Sequence, residues 1–168
     1  MKQLDVSELR AVLAYDAETG HFIRRVRLAQ RHAAGDRADF EITGGPMTGY
    51  RRVGLFGARY LAHRLAWFYV HGEWPKHEID HINCKRGDNR IVNLRDVPKQ
   101  VNLQNRRKPR SDNKSGFLGV HLHPETGKWR SRVQVGTRLI ELGLHHKPED
   151  AHQAYIKAKR QFHEGCTL

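Results

Sequence analysis

The spacing of apolar and polar residues changes period several times along this chain of 168 residues. Behind Ser7, a candidate N-cap, Leu9, Val12 and Leu13 recur at helical steps and the pattern ends at Gly20, which predicts a short helix. From His21 to Gly57 the chain is rich in Gly and Arg, and its runs FIRRVRL and GYRRVGLF predict strands of a small sheet. Between Tyr60 and Trp74 the period returns to three and four residues. Leu61, Leu65, Ala66, Phe68 and Tyr69 form one stripe, predicting an amphipathic helix that stops near Gly72 and Pro75. His63 and His71 lie on or near that helix, eight residues apart, too far to grip one metal as a pair separated by one turn would, and are read as structural or surface residues. Two extended runs follow, KHEIDHINC and IVNLRDV, separated by the polar turn KRGDNR. They predict a hairpin, and Pro98 opens a short exposed helix, PKQVNLQNRRK.

Residues 106–115, RRKPRSDNKS, contain no apolar side chain and read as a linker. Beyond it GFLGVHL, KWRSRVQV and TRLIELGL alternate apolar and polar positions between turns, predicting a three-stranded antiparallel sheet. A helix beginning near Pro148 should follow, with Ala151, Ala154, Tyr155, Ala158 and Phe162 as its buried stripe. Strand alternation puts Trp129, Ser131, Val133 and Val135 on one face and Lys128, Arg130, Arg132 and Gln134 on the other.

Charge narrows the partners. Thirty Lys and Arg against eighteen Asp and Glu give a formal net charge of +12, so the surface attracts polyanions, nucleic acid first among them. No apolar run approaches the roughly 20 residues of a membrane span, and the start MKQLDVSELRAVL lacks a signal-peptide core, so a soluble cytoplasmic protein is expected. Cys84 and Cys166 are too few for a disulfide framework or a four-cysteine zinc site and read as reduced thiols.

The candidate chemistry lies in the hairpin and the helix after it. Asp80-His81 ends the first extended run, Asn93 follows twelve residues later, and Asn102 nine beyond that. Cutting a phosphodiester requires an activated water, charge stabilisation on the phosphate and help for the departing sugar oxygen; a divalent ion and a neutral imidazole supply these. Strand alternation would send Asp80 and His81 to opposite faces unless the strand ends or bulges there. The carboxamide oxygen of Asn102 is a ligand suited to Mg²⁺ or Mn²⁺ more than to Zn²⁺. Lys85, Arg86, Arg90, Arg95, Arg106 and Arg107 surround the motif and could neutralise phosphates, with Arg95 and Arg106 expected nearest the scissile one.

The stretch EIDHINCKRGDNRIVNLRDVPKQVNLQN resembles the core of HNH endonucleases, in particular the phage and intron-encoded homing enzymes, through D-H, D-N-R with N-L-R, and N-x-x-N on the helix. The resemblance covers residues 62–107 and implies a ββα-metal fold. It implies His81 as general base, Asp80 and Asn102 as metal ligands, and Asn93 as the residue that braces the loop and orients His81. The last motif position is often His in the wider family; Asn102 here makes a zinc-dependent member the poorer match.

The segment from Ser115 to Gly165 is similar to the AP2 DNA-binding domain, through S-G-x-x-G-V, G-K-W-R, L-G and an A-x-x-A-Y helix. That resemblance implies a sheet entering the major groove. Lys128, Arg130, Arg132 and Gln134 would then face DNA, the arginines against guanine or phosphate and Gln134 against adenine.

Together these readings give an α+β protein. It comprises an N-terminal accessory αβ segment (1–57), an HNH nuclease core (58–108), a linker (109–114) and an AP2-like DNA-binding domain (115–168). The function expected is a Mg²⁺- or Mn²⁺-dependent homing-type DNA endonuclease, a monomer acting on double-stranded DNA in a bacterial cell and encoded by a phage or prophage. The competing expectation is a catalytically inactive DNA-binding regulator built from the same modules.

Overall fold

The computed structural model describes residues 4–28, 30 and 32–168, which fall into two compact units, Met1–Pro98 and Lys99–Leu168. In the first unit, helix α1 (Val6–Val12) is capped by Asp5, whose Oδ1 accepts from the N–H of Ser7 at 2.7 Å and of Glu8 at 3.4 Å. The N-cap is therefore Asp5 and not Ser7. The helix stops earlier than its apolar spacing predicts, because Leu13 turns extended and β1 (Leu13–Asp16) pairs antiparallel with β2 (His21–Arg24). Leu13 satisfies either period, and burial in the hairpin decides for the strand.

Strands β3 (Asp39–Glu41), β4 (Arg51–Leu55) and β5 (Ala58–Leu61) form an antiparallel sheet in that order. Tyr60 and Leu61, which the sequence assigns to the helix, complete β5. Helix α2 (Ala62–His71) then ends at Gly72, whose left-handed φ of 78° lets its N–H reach the carbonyl of Phe68 at 2.9 Å. The predicted hairpin is present as β6 (Glu78–His81) and β7 (Leu94–Val97), with a single 3₁₀ turn at Ile91–Asn93 leading into β7.

One apolar core unites this unit. Leu9, Leu13 and Phe22 from the N-terminal elements pack with Val53, Leu65, Phe68, Ile79 and Leu94. Complete burial of side chains such as Phe22 and Leu65 contributes about 1.5–3 kcal/mol each. Residues expected as an accessory segment thus share a core with the hairpin that carries Asp80 and His81.

The second unit opens with α3 (Lys99–Gln104) and continues into β8 (Val120–Leu122), β9 (Trp129–Val135), β10 (Arg138–His145) and α4 (Pro148–Phe162). The sheet is antiparallel with order β10-β9-β8, and its alternation follows the sequence: Ser131 and Val133 are buried while Gln134 is exposed. Helix α4 packs on the sheet through Ala151 and Ala158, but Phe162 is 40% exposed, against expectation. Its place in the stripe is taken by Lys159, buried because its ammonium finds the carbonyl of Arg106 as acceptor.

Candidate active site at the β6–β7 hairpin

His81 is the last residue of β6, so it lies where the strand gives way to the loop of residues 82–90. That ending is one of the two irregularities that would let Asp80 and His81 serve one site. Both are buried, at 6% and 5% exposure. Asp80 lies opposite Arg95 in the β6–β7 register. Its Oδ2 accepts from Arg95 Nε at 2.9 Å with Nη2 at 2.7 Å, a two-pronged ion pair.

His81 Nε2 is 3.2 Å from Oδ1 of Asn89, a fully buried residue. Burial is the largest influence on the imidazole and pushes its pKa below the usual histidine value. The Asn89 bond and the carboxylates of Asp80 and Asp88 oppose that shift, and Arg86 reinforces it. Burial thus favours the neutral ring.

The loop that carries Asn89 is tied from several sides. Asn93 Oδ1 accepts from the N–H of Asn83 at 3.0 Å and its Nδ2 donates to the carbonyl of Asp88 at 2.8 Å. Asn93 therefore ties the two ends of the loop together, while the hydrogen bond at His81 Nε2 is made with Asn89, a residue of the polar turn KRGDNR. Asp88 holds Arg90 and Asn83, and these contacts, Arg90 first, lower its pKa to about 2.

Elements upstream close the site. Tyr15 donates its hydroxyl to the carbonyl of Asn89 at 2.8 Å. Gly20 approaches so closely that a Cβ there would lie 2.4 Å from the backbone nitrogen of Arg90. Arg86 donates to the carbonyls of Pro46 and Thr48 at 3.2 and 3.0 Å and covers the ring of Tyr50 at 4.8 Å. Tyr50 and His63 stand 5.8 and 5.1 Å from the His81 ring, and burial drives the His63 pKa down to about 3. The sequence shows no signal for these roles beyond residue type, because the partners are far apart along the chain.

The remaining expected residues belong to the second unit. Asn102 is half-buried on α3, in the second unit. Arg106 is exposed, and Arg107 donates to the carbonyl and hydroxyl of Thr167 at 3.1 and 2.7 Å. Lys128 precedes β9, where Arg130 and Arg132 are half-buried on the face opposite Ser131 and Val133; Arg130 lies 3.9 Å from Glu141. His121 and Leu144, paired with Arg130, share that face, and the two arginines together with burial lower the His121 pKa, burial foremost.

Among the described residues no group of three or more His, Cys, Asp or Glu side chains could hold a metal. The carboxylate of Asp80 is a hard oxygen donor of the kind a divalent ion such as Mg²⁺ accepts. No helix among the described residues is long and apolar enough to cross a membrane.

No curated protein and no solved structure matches this chain. Residues 60–104, which hold α2, the β6–β7 hairpin and α3, match the family model described as HNH endonuclease, and that match supports a nuclease acting on DNA.

Proposed function

We propose that the protein is a metal-dependent DNA endonuclease of the homing type. The observation that carries this reading is the bond between His81 and Asn89 inside the HNH-like segment. With the Asn89 oxygen as acceptor, Nε2 would hold the ring proton and Nδ1 the lone pair. A neutral, oriented imidazole is what a general base acting on water requires. Asp80 and Asn102 would hold Mg²⁺ or Mn²⁺, and Asn93 supports His81 indirectly by fixing the loop that carries Asn89. When bound, the ion would offset charge on the scissile phosphate and the departing 3′ oxygen, leaving 5′ phosphate and 3′ hydroxyl ends.

The sheet of the second unit is proposed as the AP2-like duplex-binding surface. Its outer face carries Arg130, Arg132 and Gln134, with Lys128 beside it, for phosphates and base edges. Arg86, Arg95, Arg106 and Arg107 add positive charge that draws DNA to the chain. A monomer acting in the cytoplasm of a bacterial cell, encoded by a phage or prophage, is the setting this reading fits.

One observation favours the alternative of a regulator that binds DNA without cutting it: Arg95 already occupies Oδ2 of Asp80. Incubation of supercoiled plasmid with Mg²⁺ separates the two. The endonuclease reading expects nicked or linear product with wild type and none with His81→Ala, which should still retard the plasmid on a gel. Intact plasmid with both proteins, each still bound, establishes the regulator.

A further inference from the structure

Away from His81, the first unit contains a cleft of about 700 Å³ framed by the end of β2, by β3 and by the β4–β5 turn. Arg24, Arg37, Arg59, Phe40 and Phe56 all line it. Arg24 is 7% exposed, yet its Nε has no hydrogen-bond partner. A guanidinium N–H buried without an acceptor is unfavourable, and an anionic oxygen entering the cleft would supply one. The one carboxylate among the described lining residues, Asp39, is already held by Arg37 and Arg51, so it leaves Arg24 and Arg59 uncompensated.

The aromatic side of the cleft is equally specific. Phe56 is 58% exposed at the β4–β5 turn and has φ of 50°, in the left-handed region, where a bulky side chain is strained. Gly57 beside it adopts φ of 75°, as the tight turn demands, and a second glycine would satisfy the backbone better than phenylalanine does. Local strain that holds an exposed ring at the mouth of a cationic cleft points to a use for the ring. Phe40, 44% exposed, gives a second aromatic surface, with the Arg52 guanidinium 4.8 Å over its ring.

We propose that this cleft binds one nucleotide of a single-stranded nucleic acid, its phosphate on Arg24 and Arg59 and its base stacked on Phe56. Cations that track phosphates beside aromatic faces that accept any base are the parts such a site needs. The proposal does not depend on His81 chemistry and stands whether or not plasmid is cut.

Fluorescence anisotropy of the full chain with labelled oligo-dT and oligo-rU, in EDTA, tests it. Phe56→Gly should weaken binding roughly fivefold or more while the melting temperature holds or rises, because the turn strain is relieved. Arg59→Ala should also weaken binding and reduce its salt dependence. An abasic strand of equal length should bind wild type about as weakly as oligo-dT binds Phe56→Gly. Whichever of dT and rU binds more tightly identifies the source, and its loss in Phe56→Gly supports the cleft. Unchanged affinity in Phe56→Gly, or an abasic strand that binds as tightly as oligo-dT, overturns the proposal.

Discussion

Asn89 joins two contacts: its side-chain oxygen meets His81, and its carbonyl accepts the hydroxyl of Tyr15. Asn89→Ala removes the acceptor that fixes the His81 tautomer without touching the imidazole. Cleavage should fall about 10- to 100-fold, less than the roughly 10²- to 10⁴-fold expected from loss of a general base in His81→Ala. Initial rates on plasmid, with thermal unfolding as the folding control, measure the difference, and equal losses in both variants would contradict a supporting role for Asn89. His63 offers a second residue-level expectation. Its pKa is about 3 in the folded chain against 6.5 for the ordinary side chain, mainly through burial, so the unfolded chain binds the extra proton first as pH drops. The associated stability is fully present above pH 6.5 and is lost as pH falls through the window toward 3. Between pH 6.5 and 4.5 the loss should be on the order of 2–3 kcal/mol. His63→Phe, which keeps a ring at the position, should flatten that part of the profile of unfolding free energy against pH; parallel profiles for the two proteins would refute the assignment.

At the scale of elements, the β6–β7 pair sets Asp80 directly against Arg95. Breaking the pair takes the Arg95 cation away from a largely buried carboxylate. Because Arg95 is 25% exposed, the cost of Arg95→Ala should be about 1–3 kcal/mol, below that of a fully buried pair. The same substitution removes the Arg95 guanidinium from Oδ2 of Asp80, so added Mg²⁺ should raise the melting temperature more in Arg95→Ala than in wild type. A smaller Mg²⁺ effect in the variant would argue against Asp80 as an ion ligand. The order hairpin then helix was legible in the sequence, since β6, the polar turn, β7 and α3 carry their own turn and Pro signals. So was the alternation of β9, where Ser131 and Val133 turn inward. Leu13 and Leu61 were not, because each fits a helical stripe and only pairing with a neighbouring strand assigns it to β1 or β5. The part played by Asn89 was hidden for a similar reason: it depends on a loop folding back eight residues to His81, and on Tyr15 and Gly20 pressing from the far end of the chain.

For the molecule as a whole, the HNH-like match at 60–104 runs across the boundary between the two compact units, since α3 belongs to the second. A helix of six residues has little stability of its own, so α3 depends on what it packs against. Within its unit that support comes from the last residues of the chain. Gly165 donates its N–H to Gln104 Oε1 at 3.0 Å, and the Thr167 hydroxyl bonds Asn105 while Arg107 reaches back to Thr167. A Cβ at Gly165 would stand 2.2 Å from the carbonyl oxygen of Val101, a backbone atom one residue from Asn102, so Gly165→Ala must displace either the tail or α3. If Asn102 is an ion ligand, that displacement should raise the Mg²⁺ concentration needed for half-maximal cleavage several-fold. The His81–Asn89 bond lies in the other unit, and the proposed duplex-binding role of the β8–β10 sheet, which is not altered, predicts duplex affinity in EDTA near wild type. Titrating Mg²⁺ in the plasmid assay with both proteins reads the effect. An unchanged Mg²⁺ requirement in a variant whose helix has moved, checked by proteolysis at Arg106 and Arg107, would remove Asn102 from the ligand set and leave the ion to Asp80.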